Sequence, residues 1–131
     1  MKNKVISRIF VLIAILSMLM MSALSVSAAS YNNIHNGSYD MTGGIFYKKS
    51  FSSGTDLRIT IMPDTGTYDC NMGIYTAENS FLMGWQGADY INGVSSISYS
   101  QTEYTTTKKI DGIYFRNWSG FRWVGLFTVE W

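Results

Sequence analysis

Few side chains in this sequence are equipped for covalent chemistry. His35 is its single histidine and Cys70 its single cysteine. One imidazole cannot build a His-rich metal site. A Ser-His-Asp triad would have to recruit His35, which falls in a polar lead-in from Tyr31 to Asn36, with no nucleophile elbow around it. Cys70 alternates with Met72 and Ile74, and a thiol on such an apolar strand face behaves as a small buried hydrophobe. As a nucleophile it would need a base beside it.

The carboxylates Asp64, Asp69, Glu78 and Asp89 lie near turns. A pair of them could in principle serve glycoside hydrolysis, but turn aspartates ordinarily bond their own backbone. The run Asp64-Thr65-Gly66-Thr67-Tyr68-Asp69 lacks the ligand spacing of an EF-hand loop. No cofactor is expected; Asp64 and Asp69 are the residues from which a calcium site could be assembled with oxygens of other loops.

Aromatic residues are the richer resource, with seven Phe, nine Tyr and four Trp. Tyr and Trp suit binding faces because an apolar ring carries a polar handle. Trp118, in a turn, and Tyr90, in a longer loop from Gln86 to Gly93, are the candidate ligand contacts, while Trp85, Trp123 and Trp131 are expected in the core. Asn36-Gly37-Ser38 and Asn117-Trp118-Ser119 match the glycosylation sequon, which matters only in a host that glycosylates.

The elements that must position these residues read as strands. Ile110 to Trp131 looks like two strands joined by the turn Asn117-Trp118-Ser119-Gly120, hence a terminal β-hairpin. Ile113 and Phe115 alternate with Tyr114 and Arg116; Phe121, Trp123, Phe127, Val129 and Trp131 share one face. So aromatic a face requires a second layer. Upstream, Ser38 to Met41 reads as a short edge strand, and Ile45 to Phe51 as a strand whose alternation Lys49 interrupts. Leu57, Ile59 and Ile61 give the cleanest half-buried strand, Tyr68 to Tyr75 returns after a Pro63 turn, and Ala77 to Ser80 turns again before Phe81, Met83 and Trp85. Ser95 to Thr107 is β-prone but polar, as an exposed edge would be. No later stretch has capped helical periodicity. The expectation is an all-β, antiparallel, jelly-roll-like sandwich of seven or eight short strands.

That domain is preceded by a segment with signal-peptide anatomy. Lys2, Lys4 and Arg8 precede the apolar run Ile9 to Leu24, and small residues allow cleavage before Ala29 or before Ser30. The division is thus 1–29 as signal peptide and 30–131 as one secreted domain. The apolar run falls short of the ~20 residues of a spanning helix, so the mature form is expected to be extracellular, without a membrane span. It would carry seven basic and nine acidic residues, a net charge of −2, with the basic ones scattered. Such a surface is no footprint for nucleic acid and no polybasic membrane patch. One cysteine cannot staple the fold, so the aromatics must supply the core.

Two stretches resemble known families. "LRITIMPDTGTYDCNMGIYTAENSF" (57–81) and "GIYFRNWSGFRWVGLFTVEW" (112–131) resemble bacterial pre-peptidase C-terminal domains. The resemblance implies a small extracellular sandwich of the kind appended to secreted enzymes; Asn71 stands where that family often has a second acidic residue. "RWVGLFTVEW" (122–131) is similar to the last strand of LCI-type antimicrobial peptides. The expected function is non-catalytic binding of an extracellular glycan or protein. The alternatives are an exported antimicrobial or toxin-like protein acting on neighbouring cells, and a small secreted hydrolase.

Overall fold

The computed structural model describes residues 29–64, 71–94 and 99–131. Residues 1–28 of the expected signal peptide, Asp69, Cys70 and Ile97 lie outside them. Eight strands run in the order β1 (Ile34–Met41), β2 (Gly44–Phe51), β3 (Asp56–Pro63), β4 (Met72–Ser80), β5 (Gly84–Val94), β6 (Ser100–Thr105), β7 (Ile110–Asn117) and β8 (Trp123–Glu130). They form two four-stranded antiparallel sheets, β1-β8-β3-β6 and β2-β7-β4-β5. The pairing is nested: β4 pairs with β5, β3 with β6, β2 with β7 and β1 with β8. A long antiparallel ribbon rolled in this way is a jelly-roll sandwich.

The core lies between the sheets and follows the two-residue period of each strand. Leu57, Ile59 and Ile61 of β3, Ile113 and Phe115 of β7, and Trp123, Phe127 and Val129 of β8 all point inward and are buried. Met72 and Ile74 of β4 join them. Each large aliphatic or aromatic side chain removed from water contributes about 1.5–3 kcal/mol, so this layer dominates stability in a chain without a disulfide.

Four expectations are corrected. First, β7 and β8 do not pair with each other; they lie in opposite sheets, and Asn117 to Arg122 bridges the layers. Two strands whose inward faces are both rich in large apolar side chains bury more by facing each other across the core than by lying side by side. Phe121 belongs to that bridge and is exposed rather than sharing the Trp123 face. Second, the polar lead-in is no loose segment. The Asn32 and Asn33 amides donate to the Trp131 carbonyl and the Trp131 amide to that of Asn33, each at 3.0 Å, and β1 begins at Ile34. His35 is therefore on a strand, stacked on Tyr47 at 4.4 Å. Third, β4 continues through Ala77 to Ser80, and the turn is Phe81 to Met83. Fourth, Gln86 to Gly93 is not a loop but most of β5.

The interruption at Lys49 has a local cause. Lys48 pairs with Gly112 and Phe51 with Ile110, so β2 carries an extra residue there. Phe51 is buried beyond it, and Lys49 lies over the Trp131 ring, 4.9 Å from its centroid.

Candidate functional site

The outer face of the β2-β7-β4-β5 sheet carries three adjacent rows of side chains. Phe46 is opposite Tyr114, Tyr114 opposite Tyr75, and Tyr75 opposite Tyr90, so one aromatic from every strand forms a ladder across the sheet. Two bulges in β5, one on each side of Tyr90, bring it into this register opposite Tyr75. The Phe46 and Tyr114 rings stack at 4.3 Å; Tyr75 lies 6.1 Å from Tyr114 and meets Tyr90 edge-on at 5.4 Å. Cross-strand pairs of this kind are the natural contacts of a pleated surface.

Small residues flank the ladder on both sides. One row is Gly44, Arg116, Gly73 and Gly93; the other is Lys48, Gly112, Ala77 and Gly87. Each row thus has a small-residue floor and one cation. Each cation lies over an indole: Arg116 is 4.6 Å from the Trp118 centroid and Lys48 5.1 Å from that of Trp85.

The glycines are where the rings need them. A β-carbon on Gly87 would come within 2.6 Å of the Tyr114 ring, and one on Gly44 within 2.7 Å of the Tyr114 hydroxyl. Gly87 touches Tyr114 although β4 separates their strands, so the sheet curls over its own outer face. The same curl brings Trp85 of β5 to 5.9 Å from Phe46 of β2. The result is a cleft of about 530 Å³ lined by Phe46, Tyr75, Trp85, Tyr114, Arg116 and Trp118, with Gln86 to Ala88 at its lip. The Arg116 guanidinium donates to the Tyr114 hydroxyl at 3.2 Å and makes no ion pair among the described residues.

Asn117 fixes the loop that carries Trp118. Its side chain is buried; Nδ2 donates to the Met41 and Phe121 carbonyls at 3.1 and 2.6 Å, and Oδ1 accepts from the Ser119 amide and hydroxyl at 2.9 and 2.6 Å. Asn117 begins a sequon, and both ends of its side-chain amide are thus engaged in the folded protein. Trp118 itself is 54% exposed.

Trp118 and Tyr90, the two residues singled out by their local surroundings, thus lie on one face. Trp118 lines the cleft, whereas Tyr90 is on the sheet's edge strand beside Tyr75, not in a loop. Trp85 is half-buried on this outer face instead of in the core, whereas Trp123 is a core residue at 1% exposure. Trp131 is half-buried at the margin of the core, edge-on to Phe51. Sequence reasoning missed Phe46, Tyr75, Tyr114 and Arg116. The signal was present in β7, where Tyr114 and Arg116 alternate against the inward Ile113 and Phe115.

Asp64 is exposed at the end of β3, and its amide donates to the Val124 carbonyl. Among the described residues no group of three or more His, Cys, Asp or Glu side chains is arranged to hold a metal. Glu78 and Asp89 both bind Lys108, at 2.6 and 3.2 Å. Among the described residues no helix is long and apolar enough to cross a membrane. No family model, no curated protein and no solved structure matches this chain.

Proposed function

We propose that this protein is an exported, non-catalytic binding module whose curled aromatic cleft takes an extracellular glycan. The observation that supports this most is the Phe46-Tyr114-Tyr75-Tyr90 ladder, flanked by small-residue troughs and closed at its ends by Trp85 and Trp118. A sugar ring has an apolar C–H face and a rim of hydroxyls. The aromatic walls match the face. The Tyr hydroxyls, the Arg116 guanidinium and Gln86 supply donors and acceptors for the rim. Four strands at ~4.8 Å spacing make the ladder about 14 Å long, enough for a short oligosaccharide. A few convergent polar groups on an apolar wall are the usual make-up of a ligand site.

Retention on insoluble polysaccharides tests this reading. Purified protein is passed over peptidoglycan, chitin, cellulose and xylan, with Tyr114→Ala and Trp85→Ala in parallel. Binding to at least one of them, lost in both variants while each keeps its folded spectrum, is the expected result. Failure to bind any of the four, or binding that both variants retain, overturns it.

A further inference from the structure

A second surface lies apart from the cleft. The β4–β5 turn presents Phe81, Leu82 and Met83, which are 103%, 90% and 72% exposed. The turn itself asks for none of these. Its geometry is met by Ser80, whose hydroxyl accepts from the Met83 amide at 3.0 Å, and by Gly84, at φ +69°. The neighbouring turns at this end, Ser52 to Thr55 and Thr106 to Lys109, are polar, as turn tips normally are. Three consecutive large apolar side chains on a well-formed apex therefore serve something outside the fold.

The residues behind the apex indicate what. Trp85 is opposite Asn79 one step back along the hairpin. Lys48 lies over that indole, and Lys48, Lys49 and Trp85 share a hollow. Lys108 and Lys109 are beside it, on Glu78 and Asp111. All four lysines beyond the leader thus gather at this end. Lys108 and Lys109 are neutralised by their partners, while Lys48 and Lys49 make no ion pair among the described residues. From apex to Trp85 the strand advances two to three residues, about 7–10 Å at ~3.4 Å each. An interfacial segment buries its apolar face to about the same depth, 5–10 Å. Indole and lysine prefer the headgroup level above it.

We propose that the β4–β5 apex is a lipid-contacting tip: Phe81, Leu82 and Met83 enter the acyl region of a bilayer, Trp85 rests at the headgroups, and Lys48 and Lys49 favour anionic lipid. A convex finger with this layering fits a bilayer, which accommodates any outline. A protein partner would need a matching socket.

The test uses vesicles of phosphatidylcholine with and without 30% phosphatidylglycerol, each containing lipid whose acyl chains are brominated close to the headgroup. The fluorescence difference between wild type and Trp85→Phe isolates Trp85, which reads the tip whatever residues 1–28 do. The expected result is quenching of Trp85, several-fold stronger on the phosphatidylglycerol vesicles, and abolished in Phe81→Ser/Leu82→Ser/Met83→Ser at unchanged melting temperature. Those three side chains contact solvent, so the triple variant keeps its fold. Absence of quenching in wild type, or equal quenching in the triple variant, overturns the proposal. So does a dimer that the triple replacement converts to monomer in light scattering, since the tip's occupant is then a second copy.

Discussion

Replacing Gly87 with alanine adds a single methyl group to the chain and strikes the cleft directly. The new carbon would lie 2.6 Å from Tyr114 Cδ1 and 3.2 Å from Cε1, so the ring must move. These atoms are near the root of the side chain, and the ring is already held against Phe46 at 4.3 Å. It cannot yield by a small swing of its tip. Overpacking costs about 1–3 kcal/mol in a full core, and this half-buried site belongs at the low end. Gly87 does not have a positive φ, so the change also recovers part of the ~0.5–1 kcal/mol that glycine costs in a strand. The net loss is about 1 kcal/mol or less, a fall of at most about 4–8 °C for a domain of this size. Binding should suffer far more, because the displaced ring leaves both the ladder and the hydrogen bond from Arg116. We expect glycan retention to weaken about tenfold or more, equivalent to ~1.4 kcal/mol. Gly93→Ala is the control: its β-carbon would crowd the Tyr90 hydroxyl, at 2.7 Å, and otherwise make only ordinary contacts near 3.8 Å, and the hydroxyl, at the far end of its side chain, swings aside without displacing Tyr114. Thermal melts and retention assays on the two variants decide the matter. Equal retention by Gly87→Ala and wild type would refute the role given to Tyr114, and a melt lowered by 15 °C would show that the outer cluster is chiefly a second core.

Other positions give separate tests. Trp123→Ala empties a fully buried site and should cost about 3–5 kcal/mol in a chemical-denaturation experiment, a large share of the ~5–15 kcal/mol typical of a domain. Trp118→Ala, by contrast, should stay within about 0.5 kcal/mol of wild type in the same experiment while losing ligand retention. Asn117→Ala leaves the buried Met41 carbonyl and its neighbours unpaired, at roughly 1–3 kcal/mol per group, and should lower the melting temperature markedly. Glu130 accepts two hydrogen bonds from Arg58, at 2.5 and 2.6 Å, which hold its carboxyl below its ordinary value of 4.5. A depressed acid contributes stability above that pH and loses it as pH falls through the folded value, so Glu130→Gln should be less stable than wild type at pH 7 and indistinguishable from it once the carboxylate is titrated.

What could be read from the sequence follows from what fixes each feature. Strands such as Leu57-Ile59-Ile61 declare themselves, because burial on one face imposes the period of two. Partner choice does not: β7 and β8 carry the same alternation whether they pair or face each other across the core, and the larger buried area decided for the latter. Gln86 to Gly93 read as a loop because glycine and alanine are poor strand formers. Gly87 is there to accommodate the Tyr114 ring, a contact across an intervening strand that no local pattern records. The polar β1 was hidden for a related reason. Backbone pairing with β8 is blind to side chains, and Gly37 in its inward row makes room for Phe127. Trp118 was legible from its turn. The ladder was not, since Phe46, Tyr75, Tyr90 and Tyr114 are brought together by register alone.

The nested pairing also sets the order in which this molecule can be made. Only β4 and β5 can join as soon as they are synthesised; every later pair closes a longer loop. The last closure brings Asn33 to Trp131, a separation of 98 residues, and places β8 between β1 and β3. Until β8 is available, β1 has no neighbour in its sheet and β3 lacks one of its two. Topologies of this kind fold slowly. A chain stopped before Trp123 would lose more than an end: it would lack the strand that joins β1 to β3.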